Sequence, residues 1–171
     1  MPNVSKKIIY IAGYGRSGST LLELILNNSD KVFSTGELGN LFSLSNNYEF
    51  WINNNRDKFW DNILESQNIT KIQINELNNI TTFKENLLTN LFTGNQSYKS
   101  LWRNIIDKIF VSTGADYIVD SSKSSRNHFL RPSLLKKMGY DVYIIHMIRD
   151  PRGVMSSVKK GLNKNLEKQE N

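Results

Sequence analysis

Apolar residues run without interruption from Ile8 to Ala12, a β-branched stretch of strand length. The chain then passes Gly13, Gly15 and Gly18, and apolar positions resume at helical spacing from Leu21 to Leu26. A second short strand is predicted over Lys31 to Glu37, KVFSTGE, ending in a glycine–glutamate pair. From Leu38 to about Phe110 the pattern changes to an Asn-rich segment with helically spaced apolar residues, Phe50, Trp51, Phe59, Trp60, Ile63 and Leu64. Helices are also predicted over Phe83 to Phe92 and Tyr98 to Val111, with a break at Gly94 and Asn95. Strand pattern returns at Tyr117 to Asp120 and a helix follows through Lys137, with a kink or restart expected near Arg131 because of Pro132. Gly139 suits the C-cap. A fourth strand, Asp141 to Ile148, reads as buried, and Pro151 marks the next helix start.

Short apolar strands alternating with helices predict an α/β fold built on a parallel sheet. In such sheets ligands bind beyond the carboxyl ends of the strands. The glycine turn, Glu37, Lys123 and Arg149 all follow predicted strands, so the topology can bring them to one crevice. We expect one domain over residues 1–171, with a helical insertion at about 40–110 and a polar tail at about 160–171 that is frayed helix or disordered. No internal repeat is evident.

Composition narrows the chemistry. The 171 residues include no cysteine, which excludes disulfides, thiolate metal sites and cysteine nucleophiles. The two histidines, His128 and His146, are too few for a histidine metal site, and no metal is expected. His146 lies within a predicted strand and is expected in the core; His128 is expected on a helix face. No apolar run approaches the length of a transmembrane helix. The charged-then-apolar N-terminus reads as a first strand rather than a signal peptide, and a cytoplasmic protein is expected. The net charge of +6 serves solubility or attracts an anionic ligand, and without arginine–aromatic stripes it predicts no nucleic-acid partner.

The strand, glycine turn and helix start at Ile8 to Glu23 form an anion cradle, in which backbone N–H groups and the helix dipole converge. Gly15 and Gly18 allow close approach, Ser17, Ser19 and Thr20 add hydroxyls, and Arg16 adds a positive charge. From Gly13 the spacing follows the P-loop frame, except that Ser19 occupies the position of the lysine. A triphosphate-cleaving site without that lysine lacks a main electrostatic element.

Two segments, GYGRSGSTLLE and VYIIHMIRDPRGVMSSV, together with STGEL and VDSSKS between them, resemble the sulfotransferases that use 3′-phosphoadenosine 5′-phosphosulfate (PAPS), in the branch with carbohydrate and tyrosylprotein enzymes and bacterial relatives. The resemblance implies a P-loop-like three-layer α/β fold, its short parallel sheet flanked by helices. It further implies a 5′-phosphosulfate loop at Gly15–Thr20, and 3′-phosphate ligands at Arg149 and Ser157. Arg16 would take the place of the catalytic lysine of cytosolic relatives. Glu37 would be the base that deprotonates a hydroxyl acceptor, on a carbohydrate, peptide or small metabolite, or else a helix cap. Lys123 would be a second cation at the transferring group, or else a solvated lysine. Asp120 is read as capping the turn of Lys123. Arg149 is either a phosphate ligand or the ion-pair partner of a carboxylate such as Asp150, and Arg152 a surface partner in the same turn.

The family continues well past the second phosphate segment, so the resemblance implies a C-terminally truncated fold. The chain would then be a truncated or split gene product, or a minimal relative that has lost activity or borrows the missing part from a second copy or a partner. Two other readings stay open at this level: a non-catalytic remnant that binds PAPS or its product PAP, and a P-loop kinase or NTPase with its lysine supplied from elsewhere.

Overall fold

The computed structural model describes residues 6–41, 57–65, 96–123 and 131–167. Strand β1 (Lys7–Gly13) leads into helix α1 (Ser19–Leu26), then β2 (Val32–Ser34) and a single 3-10 turn (Leu38–Asn40). Helices α2 (Asp57–Glu65) and α3 (Gln96–Thr113) precede β3 (Tyr117–Asp120), α4 (Arg131–Lys137), β4 (Asp141–Met147) and α5 (Pro151–Glu167). The four strands form one parallel sheet in the order β2-β3-β1-β4. This is the α/β architecture with a short parallel sheet flanked by helices that the alternation of patterns predicts.

β1 is central and paired on both sides, which explains its unbroken apolar run. Side chains alternate across the sheet. Ile8, Tyr10 and Ala12, with Ile118 and Val142 beside them, face a core closed by Trp102, Ile105, Ile106 and Ile109 of α3 and by Leu134 and Leu135 of α4. The α3 residues recur at three- and four-residue steps, so one stripe of that helix is buried. α2 joins the same core, with Phe59 against Phe33 of β2 at 5.0 Å between ring centroids. Ile11 and Val119 point to the opposite face, where right-handed crossover from β1 to β2 places α1.

Helix ends follow local chemistry. Gly114 stops α3 at φ 66° and donates to the Phe110 carbonyl at 2.9 Å. Gly139 ends α4 at φ 93°, with its N–H on the Lys136 carbonyl. Pro132 sits in the first turn of α4 and Pro151 opens α5, positions where the missing N–H costs nothing.

Two expectations need correction. Among the described residues β4 pairs only with β1, and as an edge strand rather than a buried one it leaves Tyr143 and Ile144 52% and 58% exposed. His146, expected in the core, is exposed on that strand for the same reason. α5 continues to Glu167, so part of the polar end is helical, one of the two forms expected for it. The helix predicted over Phe83 to Phe92, the residues Phe50 and Trp51, and His128 lie outside the described residues.

Candidate active site

The glycine loop leaves β1 under a steric constraint. A Cβ on Gly13 would stand 2.4 Å from the Met147 carbonyl oxygen, and the residue's φ of 131° is foreign to L side chains. The parallel register pairs Gly13 with Met147, so the ends of β1 and β4 meet here. Gly18 is the N-cap of α1 at φ 96° and has no side chain to cap it; the first turn also lacks an acidic residue. The N–H groups of that turn are therefore open to an anion. Ser17 and Ser19 are buried within the loop, while Arg16 and Thr20 are exposed at its surface.

The segment after β4 folds back on this loop. Arg149 donates from Nη1 to the Arg16 carbonyl at 2.9 Å. Its Nε lies 3.0 Å from where a Cβ of Gly153 would be, so the guanidinium crosses the first turn of α5. Ser157, four residues on, shares that helix face with Gly153. Arg149 is not the partner of Asp150. That carboxylate pairs with exposed Arg152 at 2.6 Å, which holds its pKa below the usual range.

Glu37 and Lys123 follow the adjacent strands β2 and β3. The pairing of these strands continues past their ends, with Thr35 N–H on the Val119 carbonyl at 3.0 Å and Ser121 N–H on the Gly36 carbonyl at 2.9 Å. Beyond it the Lys123 ammonium donates to Glu37 Oε1 in an ion pair. The Lys123 side chain is only 16% exposed against 41% for Glu37, so it is not a solvated lysine. Lys123 adopts φ 65°, and the Tyr10 hydroxyl donates to its carbonyl. Glu37 stands at the N-cap of the 3-10 turn, yet its side chain makes no capping bond. Ser122 Oγ instead accepts the Gly39 N–H at 2.7 Å, which leaves the Glu37 carboxylate turned to Lys123.

Burial pushes the Lys123 pKa below its ordinary value; the Glu23 carboxylate pulls it back up, and the Arg16 charge lowers it further. β1 and β3 are neighbours in the sheet, with Tyr10 paired to Asp120, so the glycine loop and the Lys123 turn leave the same end of it. Asp120 caps the turn as expected, accepting the Ser122 N–H at 2.9 Å, and it also holds a buried ion pair with Arg131 at 2.6 Å. The Arg131 guanidinium in turn lies over the Trp102 ring at 4.2 Å.

Residues 9–170 match the model of the sulfotransferase family. The chain belongs to that family. A comparison with curated proteins gives no match. A sulfotransferase uses a sulfonate donor and an acceptor substrate. Among the described residues no group of His, Asp or Glu could hold a metal ion, and no helix is long and apolar enough to cross a membrane.

The sulfotransferase structure also brings in residues that sequence reasoning did not single out. Glu23 of α1 is buried and accepts from Ser121 Oγ at 2.7 Å and from Ser34 Oγ. Its signal was available: a glutamate enclosed by leucines in a helix directly after an anion loop. Tyr10 and Ser122 carried no such signal, because their partners come from other strands.

Proposed function

We propose that this sulfotransferase moves a sulfuryl group from PAPS to a hydroxyl on a carbohydrate, peptide or small metabolite. The observation that carries the reading is the Glu37–Lys123 pair beside a glycine loop whose Arg16 is bridged by Arg149. Residues of suitable chemistry are available for each part of the donor. The uncapped start of α1, Gly15, Arg16, Ser17, Gly18, Ser19 and Thr20 suit the 5′-phosphosulfate. Arg149 and Ser157 suit the 3′-phosphate.

The donor supplies a sulfuryl group on a phosphate leaving group. Glu37, paired with the Lys123 ammonium, is in the carboxylate form that can take the acceptor hydroxyl's proton. As that proton moves to Glu37, the acceptor oxygen–sulfur bond forms and the sulfur–oxygen bond to the 5′-phosphate breaks. Negative charge then collects on the 5′-phosphate, where Arg16, Lys123 and the first-turn N–H groups of α1 stabilise it. A sulfuryl group carries less negative charge than a γ-phosphoryl, so Ser19 in place of the P-loop lysine fits this transfer and disfavours triphosphate cleavage.

Incubation of the folded protein with PAPS labelled in its sulfuryl group and a panel of hydroxyl acceptors tests the proposal. Label should pass to at least one acceptor class. PAP binding without any transfer would favour a nucleotide-binding remnant, and failure to bind PAP would overturn the donor assignment.

A further inference from the structure

Helix α1 is turned the opposite way from its sequence pattern. Leu21, Leu24 and Ile25 are each more than half exposed, while Glu23 and Ser19 are buried. A carboxylate taken from water is costly unless it is fully hydrogen-bonded. A leucine facing the sheet from this helix would stabilise the fold more simply. The inward glutamate therefore calls for a reason beyond packing.

Its partners indicate that reason. Oε1 accepts from Ser34 at the end of β2, and Oε2 accepts from Ser121 just past the end of β3, at 2.7 Å. One carboxylate thus ties the helix that carries the glycine loop to the two strand ends that lead into Glu37 and Lys123. Both partners are neutral hydroxyls, and among the described residues no direct cation contact neutralises the charge of Glu23. Ser121 stands two residues before Lys123, so the carboxylate bonded to it is near enough to favour the Lys123 ammonium.

We propose that Glu23 is a positioning residue for the transfer site, fixing the glycine loop against the Lys123 turn and supplying the negative charge that balances the Lys123 ammonium. Its place in the transfer rests on the function proposed above; its electrostatic effect on Lys123 does not. Among the described residues the groups facing Lys123 are Glu37 beyond β2, Glu23 from α1, Arg16 from the glycine loop, and the Tyr10 hydroxyl of β1 on its carbonyl. Asp120 of β3 is engaged by Arg131 of α4. Two cations, Arg16 and Lys123, therefore share this corner with two carboxylates, Glu37 and Glu23. When Glu37 turns to an acceptor hydroxyl, Glu23 remains as the negative charge beside Lys123.

The test is the titration of Lys123, followed by carbon NMR of lysine ε-methylenes and assigned by the signal lost in Lys123→Arg. In Glu23→Gln, which keeps the shape and loses the charge, the Lys123 midpoint should move to lower pH while other lysines stay in place. Glu23→Asp, with the charge drawn back by one methylene, should give an intermediate midpoint. That variant also serves if Glu23→Gln does not fold. Lys123 titrating at the wild-type pH in the folded variants would overturn the proposal. In the transfer assay, Glu23→Gln should move the alkaline limb of kcat to lower pH with PAP affinity retained. A wild-type protein that transfers nothing would defeat the proposed function and leave the titration result standing.

Discussion

At the scale of single residues, Arg149 offers the cleanest separation of binding from folding. Its guanidinium is exposed and bonded to a backbone carbonyl, so its removal leaves no buried charge behind. Arg149→Ala should weaken PAP binding by about 1.5–3 kcal/mol, the range for charge-assisted hydrogen bonds. Calorimetry with the analogue lacking the 3′-phosphate should show little change; equal losses for both ligands would make Arg149 structural. Lys123 sets a pH dependence. Burial holds its pKa below that of an ordinary lysine, and the role proposed for it in the transfer needs the ammonium form. The rate should therefore fall on the alkaline side at a lower pH than an ordinary lysine would give. Lys123→Arg, which stays charged, should remove that alkaline limb from the pH–rate profile.

At the scale of elements, two contacts carry the site's framework. The Asp120–Arg131 pair is almost wholly buried, so Arg131→Met strands a carboxylate in the core. The loss should be about 3–5 kcal/mol in denaturant unfolding, the usual cost of breaking such a pair from one side. A smaller loss would mean that Ser122 and its neighbours satisfy Asp120 alone. Gly13→Ala forces a Cβ into the Met147 carbonyl, and the β1–β4 junction must shift to admit it. Thermal unfolding should drop clearly, because strain at a positive φ adds to the clash.

The same elements show what can be read in the sequence. β1, β3, β4 and the strand–loop–helix start were legible because apolar runs and glycines report local structure directly. The exposure of β4 was not, since a fully buried strand and an uncovered edge strand share one apolar pattern. α1 was legible as a helix but not in its orientation, because leucine spacing points its apolar face inward and the fold turns Glu23 inward instead. Glu37 and Lys123 were each visible at strand ends. Their ion pair depends on the order β2-β3-β1-β4, which no local signal encodes. That order makes β2 and β3 neighbours, which is what brings the two side chains together.

For the whole molecule, the family match over residues 9–170 and the convergence of strand ends describe one chemistry. A ligand that binds only the folded state raises its stability by mass action. PAP at a hundredfold excess over its Kd should therefore add about 2.7 kcal/mol to unfolding in wild type. At the same PAP concentration, Arg149→Ala should show a smaller increment. The net charge of +6 predicts that PAP binding weakens as salt rises, because opposite charges are screened.

Sulfuryl transfer itself is the most direct measurement: labelled PAPS at saturation, the acceptor panel, wild type beside Glu37→Gln. Wild type should label an acceptor, and Glu37→Gln should lose about a hundredfold or more in rate, the scale of general-base catalysis, while still binding PAP. Equal transfer by both proteins would contradict Glu37 as the base, and no transfer by the folded wild type would contradict the account as a whole.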